Sequence, residues 1–508
     1  MSQYKIRVQI EMIPCDEAPT SEPVKDHDGS LSIVLSEADA IKIDTCEQAL
    51  LQTTYPRLRE ALATHLSEMS KKKASEQQGA GTLVKNPWPY RVDGEVGRVE
   101  FPTYRVCQGE TVLYNTAGEL FVPLGCWERY QTTGFKEIAF LRGVTEQSCR
   151  KTAAFINRLR HQEGATSPTT LRTSAEREGK QVLDCLERTT TEILRQAGFD
   201  ETGQPLHSSP LWTQDARVIS AEQVKDALNA RDLTAEARTE VARNPVIYEQ
   251  PRETVNISLD DVVVKKQKPH RTRRDEEDET SEEASSSGRK YVHTTVAHLQ
   301  HHGQTYCITG QSVPAVLRVV LGYLLTQALL GCRLQFFVDG QKTLHASILL
   351  AFAWLRNVGL LLDWYHLKDK CARQLSLAMN GAVVRNEALR EVLALLWDGR
   401  VESAITFLQH LPMTHLKKPD EIRILIGYLD RNRPYIPCYA IRKRLGLRNS
   451  SNLGEKMNDL LVSDRQKHNG MSWSVSGSTA LAALEALKRN NEYQHWLEYH
   501  NIEFKQAA

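Results

Sequence analysis

Two short apolar runs each end on an acidic side chain: Phe336-Phe337-Val338-Asp339-Gly340 and Leu361-Leu362-Asp363-Trp364-Tyr365-His366. A strand that stops at an Asp delivers a carboxylate to one edge of its sheet. Carboxylates gathered at such an edge take hard cations such as Mg2+. Two further candidates for that edge are Asp260, or its neighbour Asp261, in the centre of a β-branched run, and Glu455 in Asn452-Leu453-Gly454-Glu455-Lys456-Met457-Asn458. Carboxylates side by side do not all stay ionised without compensation. A pair of Mg2+ ions roughly 3.5–4 Å apart supplies it, and also activates an attacking oxygen and stabilises a leaving one. The chemistry implied is phosphodiester cleavage or transfer.

The elements that must position these acids are legible. Residues 254–265 alternate and are rich in Val and Ile, which predicts a strand. Residues 291–299 and 304–309 predict a hairpin turning at His301-His302-Gly303. Residues 313–330 predict a helix N-capped by Ser312. Residues 343–357 have the composition of a buried helix, and 368 to about 445 read as helical. A last helix is predicted over 479–488. The order β-β-β-α-β-α-β-α, with an acid on the first and fourth strands, is that of a ribonuclease-H-like fold, in which those two strands lie side by side. The expected fold class is an α/β core of that type over 251–375 and 449–508, with an all-helical insertion over 376–448. Residues 269–289, a basic run followed by an acidic run and a Ser/Gly stretch, predict a disordered loop.

The N-terminal half reads differently. Residues 1–89 look helical, with a soft linker over 69–81, and 90–134 predict a small antiparallel β unit. Residues 135–250 predict a helical, DNA-binding region. Within it, 145–161 form an amphipathic pattern with Ala153, Ala154, Ile156 and Leu159 on one face and Arg150, Lys151, Arg158 and Arg160 elsewhere. A Gly164 turn follows, and Ser167-Pro168 opens a second helix. That is a helix-turn-helix outline, which ordinary helical hairpins share. A second basic stretch, Arg433, Arg442, Lys443, Arg444 and Arg448 with Tyr435 and Tyr439 interleaved, leads to Glu455, and Arg465 and Lys467 lie just beyond. These are the candidate phosphate contacts, whose binding would weaken with salt.

Lys+Arg number 64 and Asp+Glu 63, so a nucleic-acid surface can arise only from local segregation of charge. The ten cysteines show no paired spacing, which argues against a disulfide framework or a zinc ribbon and predicts a reducing cytoplasm. The longest apolar stretch, 313–331, contains Arg318, Thr326 and Gln327 and reads as a core helix, so no membrane association is expected.

Taken together, Asp260-Asp261-Val262-Val263-Val264-Lys265, Val338-Asp339-Gly340-Gln341-Lys342, Asp363-Trp364-Tyr365-His366 and the segment around Glu455 resemble the DDE transposases of bacterial insertion sequences. The closest type is the Mutator-like group, which carries a helical insertion before its last acid. The resemblance covers about residues 250–490. The block Ser148-Cys149-Arg150-Lys151-Thr152-Ala153-Ala154 also looks like the helix-turn-helix region of these proteins. The resemblance implies that Asp260 (alternatively Asp261), Asp339 and Glu455 are catalytic and hold Mg2+, with Mn2+ as a substitute, and that Asp363 and His366 support them. It further implies double-stranded DNA, transposon ends and target, as substrate. At least a homodimer and a nucleoid-associated place in a bacterial cytoplasm are expected. Asp261 stands where the family commonly carries Gly, which leaves the first acid open. A DNA-binding regulator without catalysis and a metal-dependent nuclease without strand transfer use the same motifs.

Overall fold

The β-branched run Thr254–Lys265 forms a twelve-residue strand, β1, with the predicted bounds. A computed structural model describes residues 17–20, 24–25, 31–79, 81–117, 129–243, 246–267, 291–467 and 471–504. The expected loop over 269–289 lies outside them. The chain is mixed α/β, and its contacts gather into two units, 1–171 and 172–508.

In the larger unit, β1 pairs antiparallel with β2 (Tyr291–His301), which turns into β3 (Gln304–Gly310). The turn residues His302 and Gly303 both have positive φ, 49° and 83°, as a tight two-residue hairpin requires. Helix α1 (Val313–Thr326) follows, with the Ser312 side chain accepting from the Ala315 N–H. Strand β4 (Arg333–Val338) then pairs parallel with β1, and β5 (Val358–Leu362) pairs parallel with β4. Helix α2 (Lys342–Ala351) joins those two strands, ending six residues before the predicted limit. The sheet order is 3-2-1-4-5, so the strand of Asp260 and the strand leading to Asp339 are neighbours. On one face of the sheet Val262, Val264, Val292, Val296 and Cys307 pack against Leu461, Val462, Ala482 and Ala486.

After β5 the chain leaves the sheet. It forms α3 (Trp364–Ala378), α4 (Ala382–Trp397), α5 (Val401–Gln409), α6 (Pro419–Asn432) and α7 (Tyr439–Arg444). These helices share a core of Leu375, Val392, Leu396, Leu408, Leu425 and Leu429, so the inserted segment is all-helical as expected. The chain returns through α8 (Asn452–Asn458), which carries Glu455, and α9 (Val475–Arg489), buried almost throughout from Gly477 to Leu487. Arg442 on α7 is fully buried. Its guanidinium makes a bidentate pair with Glu249 (2.8 and 2.6 Å) and donates to the Arg448 carbonyl (3.0 and 2.9 Å).

In the smaller unit the helix Ile43–Glu76 takes up the first eight residues of the stretch expected to be a linker, 69–81, and the described residues just beyond it, 77–79 and 81, are non-helical. Lys71–Lys73, Ala74 and Glu76 are good helix formers. Ala74 and Ser70 are buried, and the Ser70 and Thr116 hydroxyls share a hydrogen bond of 2.7 Å. The β unit begins at Leu83, earlier than expected. Leu83–Gly94, Gly97–Gln108 and Thr111–Asn115 form an antiparallel meander, to which Arg129–Gln131 adds a parallel edge.

The helix Cys149–Leu159 is capped by Ser148. It buries Thr152, Ala153 and Ile156, whereas Ala154 and Leu159 face solvent, which corrects the predicted inner face. The second helix, Pro168–Gln196, is 29 residues long and crosses the division between the units. From Arg172 onward it is a packing helix of the larger unit. Ala175, Val182 and Cys185 are buried, and Glu178 accepts from the Trp496 indole at 2.9 Å.

Removing one partner of a buried ion pair strands the other charge. Arg442→Met or Glu249→Gln is expected to lower unfolding free energy by about 3–5 kcal/mol in chemical denaturation. Lys443→Ala, on the exposed side of the same helix, should change it by less than about 0.5 kcal/mol.

Candidate active site

Asp260, Asp339 and Glu455 line one cleft, together with Ser258, His298, His366, Ser451, Gly454 and Asn458. Each acid arrives by a different device. Asp260 lies mid-strand in β1, on the face shared with Ser258, Val262 and Val264. Strand alternation turns Asp261 to the opposite face, where it accepts from the Thr295 hydroxyl across the β1–β2 ladder. The structure therefore places Asp260, and not Asp261, in the cleft. Asp339 follows the last residue of β4, and its Oδ1 accepts from the Gln341 N–H at 2.8 Å. Gly340 has φ +91°, and a Cβ there would meet the Tyr428 ring at 2.7–3.0 Å. Only glycine admits this approach of α6, whose Tyr428 hydroxyl donates to the Asp339 carbonyl at 3.0 Å.

Glu455 is brought in from the helical segment by pins on either side of it. Asp363 caps α3, accepting from the Tyr365 and His366 N–H groups (2.7 and 3.3 Å), and its other oxygen accepts from the Ser451 N–H. The Trp364 N–H donates to the Asn449 carbonyl at 3.0 Å. Gly454 then lies flat on β1: a Cβ would meet Ser258 Cβ at 2.5 Å. One turn further, the Asn458 amide donates to Asp260 Oδ2 at 2.9 Å. Asp363 is thus a buried cap, 1 % exposed, that positions the last acid and does not itself line the cleft.

His366 is in the cleft, with Nε2 2.7 Å from Glu455 Oε1. Burial alone would lower its pKa, but the bond to Glu455 and the charges of Asp363, Glu455 and Asp260 prevail and raise it to about 9. Burial, then the negative charge of Glu455, raises the Asp260 carboxyl to about 6, with Asp339 adding to the effect. The hydrogen bond from the Asp261 N–H and the positive charge of His366 offset part of it.

The donor set is three carboxylates, hard oxygen ligands suited to Mg2+ or Mn2+. Among the described residues no three His, Cys, Asp or Glu groups stand close enough to hold an ion as they are.

The expected basic residues separate into two sets. Arg150, Lys151 and Arg158 are exposed on Cys149–Leu159. Lys443, Arg444 and Lys467 are exposed, Arg433 is exposed and pairs with Asp430, Arg448 is half-buried, and Arg465 lies over the Trp473 ring at 5.1 Å. Arg442 and Arg160 are corrections. Arg442 is consumed by Glu249. Arg160 is 2 % exposed, bonded to Thr166 at 3.0 Å and stacked over Phe135, and burial lowers its pKa to about 10. Tyr439 is likewise buried, its hydroxyl on the Leu362 carbonyl at 2.7 Å, and offers no stacking face. Sequence reading missed Ser258, His298, Asn458 and Tyr428. The alternation of 292, 294 and 296 toward the core could have placed His298 on the inner face. Nothing local marks Tyr428.

No protein-family model matches the chain, and no curated protein matches it in sequence. No helix among the described residues is long and apolar enough to cross a membrane.

An acid whose folded pKa is raised stabilises the fold fully below its ordinary pKa and loses that contribution as pH rises through the folded value. For Asp260 the window runs from 3.8 to about 6, and for His366 from 6.5 to about 9. Metal-free Asp260→Asn should therefore be more stable than the parent at pH 7, by on the order of 2 kcal/mol. The gain should vanish near pH 4. Thermal melts at both pH values check this, and equal stability at pH 7 would show that no repulsion is relieved.

Proposed function

We propose that this protein is a DDE-type DNA transposase with a ribonuclease-H-like catalytic core. The observation that carries the reading is the meeting of Asp260, Asp339 and Glu455 in one cleft. They come from the centre of β1, the end of β4 and a helix beyond an all-helical insertion, on a sheet ordered 3-2-1-4-5. Asp260, Asp339 and Glu455 would hold Mg2+, or Mn2+ in its place. When bound, paired Mg2+ activates the attacking oxygen and neutralises charge on the leaving one.

The chain's own residues divide the remaining work. Asn458 and the Asp261 N–H fix the rotamer of Asp260, and Gln341 fixes Asp339. Asp363 sets the height of α8 above β1, and with it the reach of Glu455. Protonated His366 holds Glu455 through its Nε2–H and would present that N–H to the phosphodiester. Water attack at the transposon end frees a 3′-hydroxyl, and that hydroxyl then attacks target DNA, so no protein–DNA covalent intermediate is required. The exposed Arg150, Lys151 and Arg158 on a capped helix would contact the ends as part of a helix-turn-helix. Lys443, Arg444, Arg448, Arg465 and Lys467 would contact the strand at the catalytic unit. Joining two ends requires at least a homodimer, and the setting is the bacterial nucleoid.

Incubating the protein with Mg2+ and DNA carrying the sequences that flank its coding region should give cleaved and joined products, abolished by EDTA. Asp339→Asn should reduce both to background while duplex binding persists. Joined products from that variant would remove the assignment. Cleavage without joining would identify a nuclease, and binding without either a regulator.

A further inference from the structure

His298 is a buried imidazole that the roles above do not use. It lies on β2 directly across the ladder from Ser258, so its side chain shares the face of Ser258 and Asp260. It lines the same cleft as the three acids and is 3 % exposed. Its Nε2 is buried with no hydrogen-bond partner among the described residues. An unmade bond at a buried polar atom is costly, about 1–3 kcal/mol, and such atoms in a native fold call for an explanation. The cleft's other imidazole is engaged, since His366 holds Glu455. The Asn458 amide is engaged with Asp260.

We propose that His298 is a substrate-positioning residue whose Nε2–H donates to a non-bridging oxygen of the phosphodiester strand seated in the acid cleft. The inference rests on the transposase reading. Its chemistry fits an anion and not the cation. Mg2+ selects oxygen ligands, so a lone imidazole nitrogen beside three carboxylates is the weaker donor to it. A phosphate oxygen is an acceptor and needs a donor at short range. Burial, with the Arg448 cation adding to it, lowers the His298 pKa to about 4, so the ring is neutral at working pH. A neutral ring gives its hydrogen bond without placing a second positive charge among the metal ions. Arg448 is itself half-buried and its carbonyl is held by Arg442.

The test uses the full chain and short duplexes drawn from the DNA flanking its coding region. His298→Phe keeps the buried ring and removes the nitrogen; His298→Gln returns a donor near the same point. The expected result for His298→Phe is a rise in KM for cleavage, and weaker duplex binding in Ca2+, of about 10- to 100-fold, the size of one charge-assisted hydrogen bond. Mn2+ affinity should be unchanged, and His298→Gln should recover most of the loss. In the unsubstituted protein the ε2-15N resonance of His298 should move when duplex is added in Ca2+, which keeps the test available should His298→Phe not fold. Parental KM in His298→Phe, or a resonance that does not move, overturns the proposal and leaves a core histidine. A parallel fall in Mn2+ affinity overturns it in favour of a metal ligand. An unsubstituted protein that neither binds nor cuts these duplexes overturns the transposase reading and this inference with it, and is seen before any variant is compared.

Discussion

One buried carboxylate governs where the last acid can be. Asp363 uses one oxygen to close the first turn of α3 and the other to take the Ser451 N–H, 88 residues further along the chain. The excursion between those two points is long, and an unpinned chain of that length would leave Glu455 free to wander. Because both ends are held by a single side chain at the end of β5, the helical insertion hangs from a fixed root. Trp364 and Asn449 add a backbone bond beside it, and Asn449 in turn donates to the Tyr439 carbonyl at 2.7 Å. The site thus depends less on the fold of the insertion than on the geometry of its stem.

The cleft is electrostatically unfinished. Three acids share it, and each is steadied by groups of the chain: Glu455 by His366, Asp260 by Asn458 and the Asp261 N–H, Asp339 by the Gln341 N–H. Only one of these partners, His366, carries a charge. With one charged partner among three acids, like charge adds to burial in holding the Asp260 carboxyl above its ordinary range. Strain of this kind is found where a protein gives up stability for function.

Much of this was legible in the residues. The β-branched alternation of 254–265 marked β1 to the residue, because a half-buried strand must alternate. The Asp-Gly after Phe336-Phe337-Val338 marked the end of β4 for two physical reasons that coincide, a turn with positive φ and the contact with Tyr428. Pleat alone put Asp260 and Asp261 on opposite faces, and the cleft that Asp260 lines decided between them. What remained hidden was tertiary. A basic residue in a helix looks the same whether it meets phosphate or a buried Glu249, so Arg442 and Arg160 read as surface. Lys71–Lys73 looked like a linker because polarity suggested solvent, while helix propensity and the buried Ala74 decided otherwise. His298 could be assigned to a face, but not to a cleft, until the helix bearing Gly454 was seen to lie on Ser258.

The Arg442–Glu249 pair joins two stretches that otherwise belong to different parts of the chain: the segment leading into the first strand, five residues before Thr254, and the stem that leads back to the last acid. In a lineage of related sequences these two positions are not free to drift singly. A change at either would strand a full charge in the core, so replacements there should arise as matched exchanges, apolar for both or reversed in sign for both. Residues 249 and 442 therefore act as one structural unit, although nothing in the local pattern around either one hints at the other.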